Sequence, residues 1–159
     1  MRRAYGRSRR GERVVGSRPG RHWHTLSIVG AVRLGQRPRL MTHRGAVNGR
    51  VFLKFVKQRL APWLKKGDIV VLDNLNIHKM LSVRRAIEKT GATPIYLPTY
   101  SPELNPIELC WGDMKRELRR IGADTDVELA AAVRSLRWKI LPSKVASWFR
   151  FSVGHAHLN

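Results

Sequence analysis

Ile69-Val70-Val71-Leu72-Asp73-Asn74 is the stretch on which the fold turns. Four apolar residues stand in a row with no polar alternation, after Lys65-Lys66-Gly67 and before a carboxylate. A continuous apolar run of that length predicts a strand buried on both faces, the kind found at the centre of an α/β sheet. Upstream, Val51, Phe52, Phe55, Val56, Leu60 and Leu64 fall on one helical face behind Asn48 as cap, which predicts an amphipathic helix. Further upstream, 22–34 (HWHTLSIVGAVRL) and 37–42 (RPRLMT) read as two strands joined by a tight turn at Gly35. Downstream, 81–90 reads as a short helix ending at Gly91, and 93–97 (TPIYL) as another strand. Alternation of strand and helix implies parallel pairing, hence an α/β fold.

Pro98, Pro102 and Pro106 recur at a spacing of four and predict an extended segment. Asn105 then caps a helix with Pro106 at its first position, and Ile107, Trp111, Met114 and Leu118 form its apolar stripe. Lys115, Arg116, Arg119 and Arg120 give the same helix a basic flank. Thr125 with Glu128 predicts a capping box opening a further helix, and a last helix starts near Pro142 with Val145, Trp148 and Phe149 turned inward.

The chain has 159 residues, 31 Lys plus Arg against 11 Asp plus Glu, and a net charge of +20. At 43% hydrophobic residues it can close a core, so the charge belongs to a folded body and not to a disordered basic tail. Residues 1–67 hold 18 of the bases and one acid, Glu12. Arg2, Arg3, Arg7, Arg9, Arg10 and Arg13 head an Arg-rich arm over residues 1–21, interleaved with Gly and Ser. Such a surface is suited to phosphates, which makes DNA the expected partner; a solvated arm that only aids solubility is the alternative. No apolar run approaches the roughly 18 to 20 residues of a membrane span, so a cytoplasmic location and no membrane partner are expected. The single cysteine, Cys110, excludes an intrachain disulfide framework and a Cys-based zinc cluster.

With few acids available, Asp73 and Glu108 stand out by position. Asp73 ends the apolar run, where open α/β sheets place their ligands. Glu108 lies in the first turn of the helix anchored by Pro102 and Pro106. Two hard oxygen donors on rigid elements suit Mg²⁺ or Mn²⁺. Each also has a structural reading: Asp73 in an Asx turn, Glu108 as the third residue of a capping box with Asn105. The pairs His22 with His24 and His155 with His157 have no third ligand beside them in sequence and read as ordinary residues. Trp138, between Arg137 and Lys139, suggests base stacking, with packing as the simpler reading. A two-carboxylate glycosidase fits neither the charge nor the proline-anchored helix.

The strings VVLDNLNIHK and ATPIYLPTYSPELNPIELCWGDMKRELRR resemble the catalytic core of DDE transposases of the insertion-sequence 630 and mariner superfamily. Asp73, Asn74, His78 and Lys79 match the first element of that family, and Leu97, Pro98, Tyr100, Ser101, Pro102, Leu104, Asn105, Pro106, Ile107 and Glu108 the second. Between Asp73 and Glu108 stand 34 residues, as in the family. The resemblance implies a ribonuclease-H-like mixed sheet flanked by helices, with two Asp and one Glu holding two divalent ions. Asp73 then corresponds to the second acid and Glu108 to the third. Asn74, His78, Lys79, Tyr100, Ser101 and Asn105 are implied as supporting or substrate-contacting residues, and Lys115 and Arg116 as DNA contacts. The implied activity is metal-dependent cleavage and strand transfer at transposon ends, by a dimer on paired ends in family members.

One departure stands against that likeness. No acid lies between Glu12 and Asp68, so the family's first Asp has no counterpart, and the first central strand is expected to be missing from a domain over residues 22–159. The alternative expectation is a truncated, inactive remnant that keeps only DNA binding. Loss of a central strand would expose the edges of its neighbours.

Overall fold

The computed structural model describes residues 9–12, 25–99, 101–123 and 125–156. Strand β1 (Leu26–Ala31) turns back at Gly35, which sits at φ 71°, into β2 (Arg39–Arg44), and the two pair antiparallel with Leu26 opposite Arg44. Helix α1 (Gly49–Phe55) starts two residues before Val51 because Asn48 caps it, its side chain accepting from Val51 N at 3.0 Å. The chain continues from it through a wider π turn, Val56–Leu60, and a 3-10 turn, Ala61–Trp63. Pro62 in that last turn has no N–H to donate, which ends the helical run.

Strand β3 (Ile69–Leu72), helix α2 (Leu81–Glu88) and strand β4 (Thr93–Tyr96) form a βαβ unit in which β3 and β4 pair parallel, Ile69 opposite Thr93. Helices α3 (Pro106–Ile121), α4 (Asp126–Lys139) and α5 (Pro142–Ala156) follow. Their boundaries are set as the sequence implies. Gly122 takes the left-handed conformation after α3, and Thr125 and Glu128 make the reciprocal capping box of α4.

The expected α/β class with mixed strand directions holds, but the described strands form two separate two-stranded sheets, β1-β2 and β3-β4. Two hydrophobic clusters flank them. Phe52, Phe55, Val56, Leu60, Val83 and Ile87 pack with Val29, Val70 and Leu72 on one side. Cys110, Met114, Leu118, Val133, Leu136, Val145 and Trp148 pack on the other, against Ile28, Val32 and Leu40. Gly30 permits the second contact, since a Cβ there would stand 2.8 Å from the Trp111 ring. Val29 and Ile28 thus point to opposite cores, and β1 is covered on both faces.

Two expectations need correction. The run Ile69–Leu72 is a strand, but Ile69 is 64% exposed and Val71 44%, because helices cover β3 on the Val70 and Leu72 face only. The segment between Pro98 and Pro106 is not extended throughout, since Pro102–Leu104 forms a 3-10 turn with Pro102 at its start, a position where a missing N–H costs nothing.

Candidate active site

Asp73 sits one residue past β3, and Glu108 in the first turn of α3. Both line one cavity of about 770 Å³, together with His78 and Asn105. The shared cavity is what the fold adds to the sequence, since carboxylates from two different elements border it.

Asp73 is held from two sides. Its Oδ1 accepts from Leu75 N at 3.2 Å, the Asx turn expected of this position, and the same oxygen lies against His78 Nδ1. That nitrogen is buried and its approach to Asp73 is not aligned as a hydrogen bond. His78 is itself fixed: its ring lies 4.2 Å from that of Phe52, and its carbonyl accepts from Tyr96 OH at 3.3 Å. His78 thus packs beside the carboxylate, and Oδ2 is left without a protein hydrogen bond among the described residues.

Glu108 is exposed, and its side chain makes no hydrogen bond or ion pair among the described residues. The capping-box reading does not apply to it, because Asn105 N donates to Pro102 O at 3.0 Å while the Asn105 side chain accepts from Ile107 N at 3.4 Å. Asn105 is thus a helix cap, and Glu108 is left available at a helix N-terminus.

The remaining residues singled out in the sequence are more dispersed. Asn74 Nδ2 donates to Thr99 Oγ1 at 2.9 Å, tying the two strand ends together, and Lys79 is exposed. Neither lines the cavity. Ser101 precedes the 3-10 turn, and Tyr100 lies outside the described residues. Of the arm, Arg9 and Arg10 are exposed, whereas Arg2, Arg3, Arg7 and Arg13 lie outside the described residues, as do His22, Trp23, His24 and His157. On α3, Lys115 is exposed without a partner among the described residues, while Arg116 is engaged with Asp113 at 2.7 Å.

Residues 1–129 match the family model described as DDE superfamily endonuclease. The chain belongs to that family. No curated protein matches the sequence. For a DDE endonuclease the substrate is DNA and divalent ions are the general cofactor, so the carboxylates can be tested for that task. Two oxygen donors bordering one cavity fit a divalent cation in kind. In number they fall short of a full trio, since no three His, Cys, Asp or Glu side chains come together among the described residues.

A basic surface lies elsewhere on the chain, around the Trp138 that the sequence singles out between Arg137 and Lys139. Arg37 and Arg137 stand over Trp138 at 5.6 Å and 5.0 Å, and Arg39 over Trp63 at 5.4 Å. Burial, and then the charges of Arg39, Arg59 and Arg37, pushes the Arg137 guanidinium below its ordinary value. None of the four pairs with a carboxylate among the described residues. Like charges gathered without neutralisation, beside an aromatic ring 61% exposed, form a surface that a polyanion would relieve. Arg37 and Arg137 are a hundred residues apart, so only the fold could reveal it. Among the described residues no helix is long and apolar enough to cross a membrane.

Proposed function

We propose that this chain is the catalytic region of a transposase, acting on DNA at transposon ends by metal-dependent strand cleavage and strand transfer. The observation that carries the reading is that Asp73, just past β3, and Glu108, on α3, border the same cavity. In this reading Asp73 and Glu108 hold Mg²⁺ or Mn²⁺, two ions in a complete trio. A cation held there supplies Lewis-acid activation of a water and stabilises the leaving oxygen of a phosphodiester. The protein's own part is to fix Asp73 through Leu75 N, to present Glu108 unpaired, and to hold the DNA backbone. Residues 1–21, with Lys115 and Arg116, contribute phosphate contacts, and residues 22–159 form the endonuclease domain, in the cytoplasm beside the nucleoid and as a dimer on paired ends.

A second reading, a DNA-binding protein without cleavage, is favoured by the absence of a third ligand near Asp73 and Glu108 among the described residues. One experiment separates them: nicking of transposon-end DNA with Mg²⁺ or Mn²⁺, alongside binding measured against salt. The catalytic reading expects nicking that Asp73→Ala and Glu108→Ala abolish while binding persists. Salt-sensitive binding with no nicking establishes the second reading, and no binding at about 50 mM salt would sink both.

A further inference from the structure

The turn between β1 and β2 is clamped to the end of α4 by two arginines, each bonded to the other's segment. Arg37 Nε donates to Trp138 O at 3.3 Å, and Arg137 Nε donates to Pro38 O at 3.0 Å. Both guanidiniums stand over the Trp138 ring, and Pro38 is fully buried, so the two forks are oriented before any ligand arrives. Nε is the nitrogen each of them commits to the protein. Their terminal Nη groups make no hydrogen bond or ion pair among the described residues, and that paired edge is the one that matches two phosphate oxygens.

Two further arginines enlarge the surface. Arg39, at the start of β2, stands over Trp63, and Arg59, in the π turn, is exposed. Both lie close enough for their charge to bear on Arg137. Arg134, exposed one helical turn before Trp138, adds charge on α4. A soluble surface intersperses charges of both signs, whereas this one gathers like charges from three segments of the chain without a carboxylate between them.

The surface lies at the far end of β3 from Asp73. Arg33 bonds both Trp63 O and Asp68 at 2.7 Å, which sets Trp63 beside the start of β3, while Asp73 follows its end. Asp68 and Asp73 are separated by roughly 16 Å of extended chain. A single duplex is long enough to touch both ends, since five base-pair steps of about 3.4 Å cover that span.

We propose that Arg37, Arg39, Arg59 and Arg137, arrayed around Trp138, form a second DNA-contact surface that grips backbone phosphates away from Asp73. The inference rests on DNA as the substrate and not on cleavage by Asp73 and Glu108. With two guanidiniums over the indole, Trp138 supports the forks, so the surface holds phosphates and does not read bases. An acidic membrane suits it less, because the charges come from three segments and not from one amphipathic helix with an apolar face to enter lipid.

The test measures binding of the full chain to a duplex of about 20 base pairs as salt is varied. Arg37→Gln with Arg59→Gln is compared with Arg85→Gln plus Lys89→Gln, two exposed bases on and just after α2 whose loss removes the same charge. The surface variant is expected to lower the slope of log affinity against log salt by about 2, and to weaken binding at least tenfold at about 50 mM salt, equally for duplexes of different sequence. Arg59→Gln alone breaks no internal bond among the described residues and is expected to lower the slope by about 1. The α2 variant is expected to leave the slope nearly unchanged, and Arg37→Lys with Arg59→Lys to keep most of it, because the slope counts charge. Equal losses in the two double glutamine variants, an unchanged slope in the surface variant, or no DNA binding by the native chain would overturn the proposal. So would phosphatidylserine vesicles that bind the native chain but not the surface variant while DNA binding is unaltered, which would make the partner a membrane. Nicking is read separately: a native chain that binds through this surface and never nicks removes the cleavage reading and leaves this one standing.

Discussion

Strand β1 is packed on both faces, by α1 and its continuation on one side and by α3 to α5 on the other, whereas β3 is covered on one face and leaves Ile69 and Val71 to solvent. β3 (IVVL) is the more apolar of the two and β1 (LSIVGA) carries Ser27 and Gly30, so hydrophobicity alone did not decide their burial. What decides it is the neighbour: β1 has Trp111 seated on Gly30, and β3 has the open cavity where a comparable layer would press. An apolar run reports that a strand is capable of burial on both faces, and the surrounding elements determine whether it is so buried.

That contrast can be broken by mutation. Trp148 is buried in the closed cluster beneath α3 and α4, and Trp148→Ala is expected to cost about 3 to 5 kcal/mol in chemical denaturation. A loss under about 1 kcal/mol would show that this core is not the closed one. Asp68→Ala removes the partner of Arg33 at the junction of the two sheets, and a loss of about 1 to 3 kcal/mol is expected, because a half-buried guanidinium then has no carboxylate. Cys110 probes the same closed core through pH. Burial, assisted by Asp113, pushes its thiol from 9.0 up to about 12. Between those values the unfolded chain ionises while the folded chain does not, so the folded state binds more protons and stability falls as pH rises. The slope contributed is at most about 1.4 kcal/mol per pH unit, and Cys110→Ala should remove it. The smallest effect belongs to the open face: Ile69→Thr is expected to change stability by less than about 0.5 kcal/mol.

Legibility in the sequence followed locality. Asn48, Asn105 with Pro106, and Thr125 with Glu128 act within a few residues of themselves, and each helix start they imply is present. The stripe through Met114 and Leu118 was equally readable because period alone sets it. The 3-10 turn at Pro102 was not, because a fixed φ near −65° is shared by extended and helical backbone. At the candidate site the spacing of Asp73 and Glu108 was visible, but their common cavity and the contact of His78 with Asp73 depend on where β3 and α3 end up. The cluster of Arg37, Arg39, Arg59 and Arg137 joins distant segments and has no local pattern to betray it.

Trp111 has a further use that follows from its place over Gly30. One side of its indole meets β1 and the ring also borders the cavity, so its fluorescence should respond to whether that space is wet or filled. With the other four tryptophans replaced by phenylalanine, the emission maximum becomes an optical gauge of occupancy, shifting to the blue as water leaves the indole. The molecule thus carries its own dye at the junction between its two sheets.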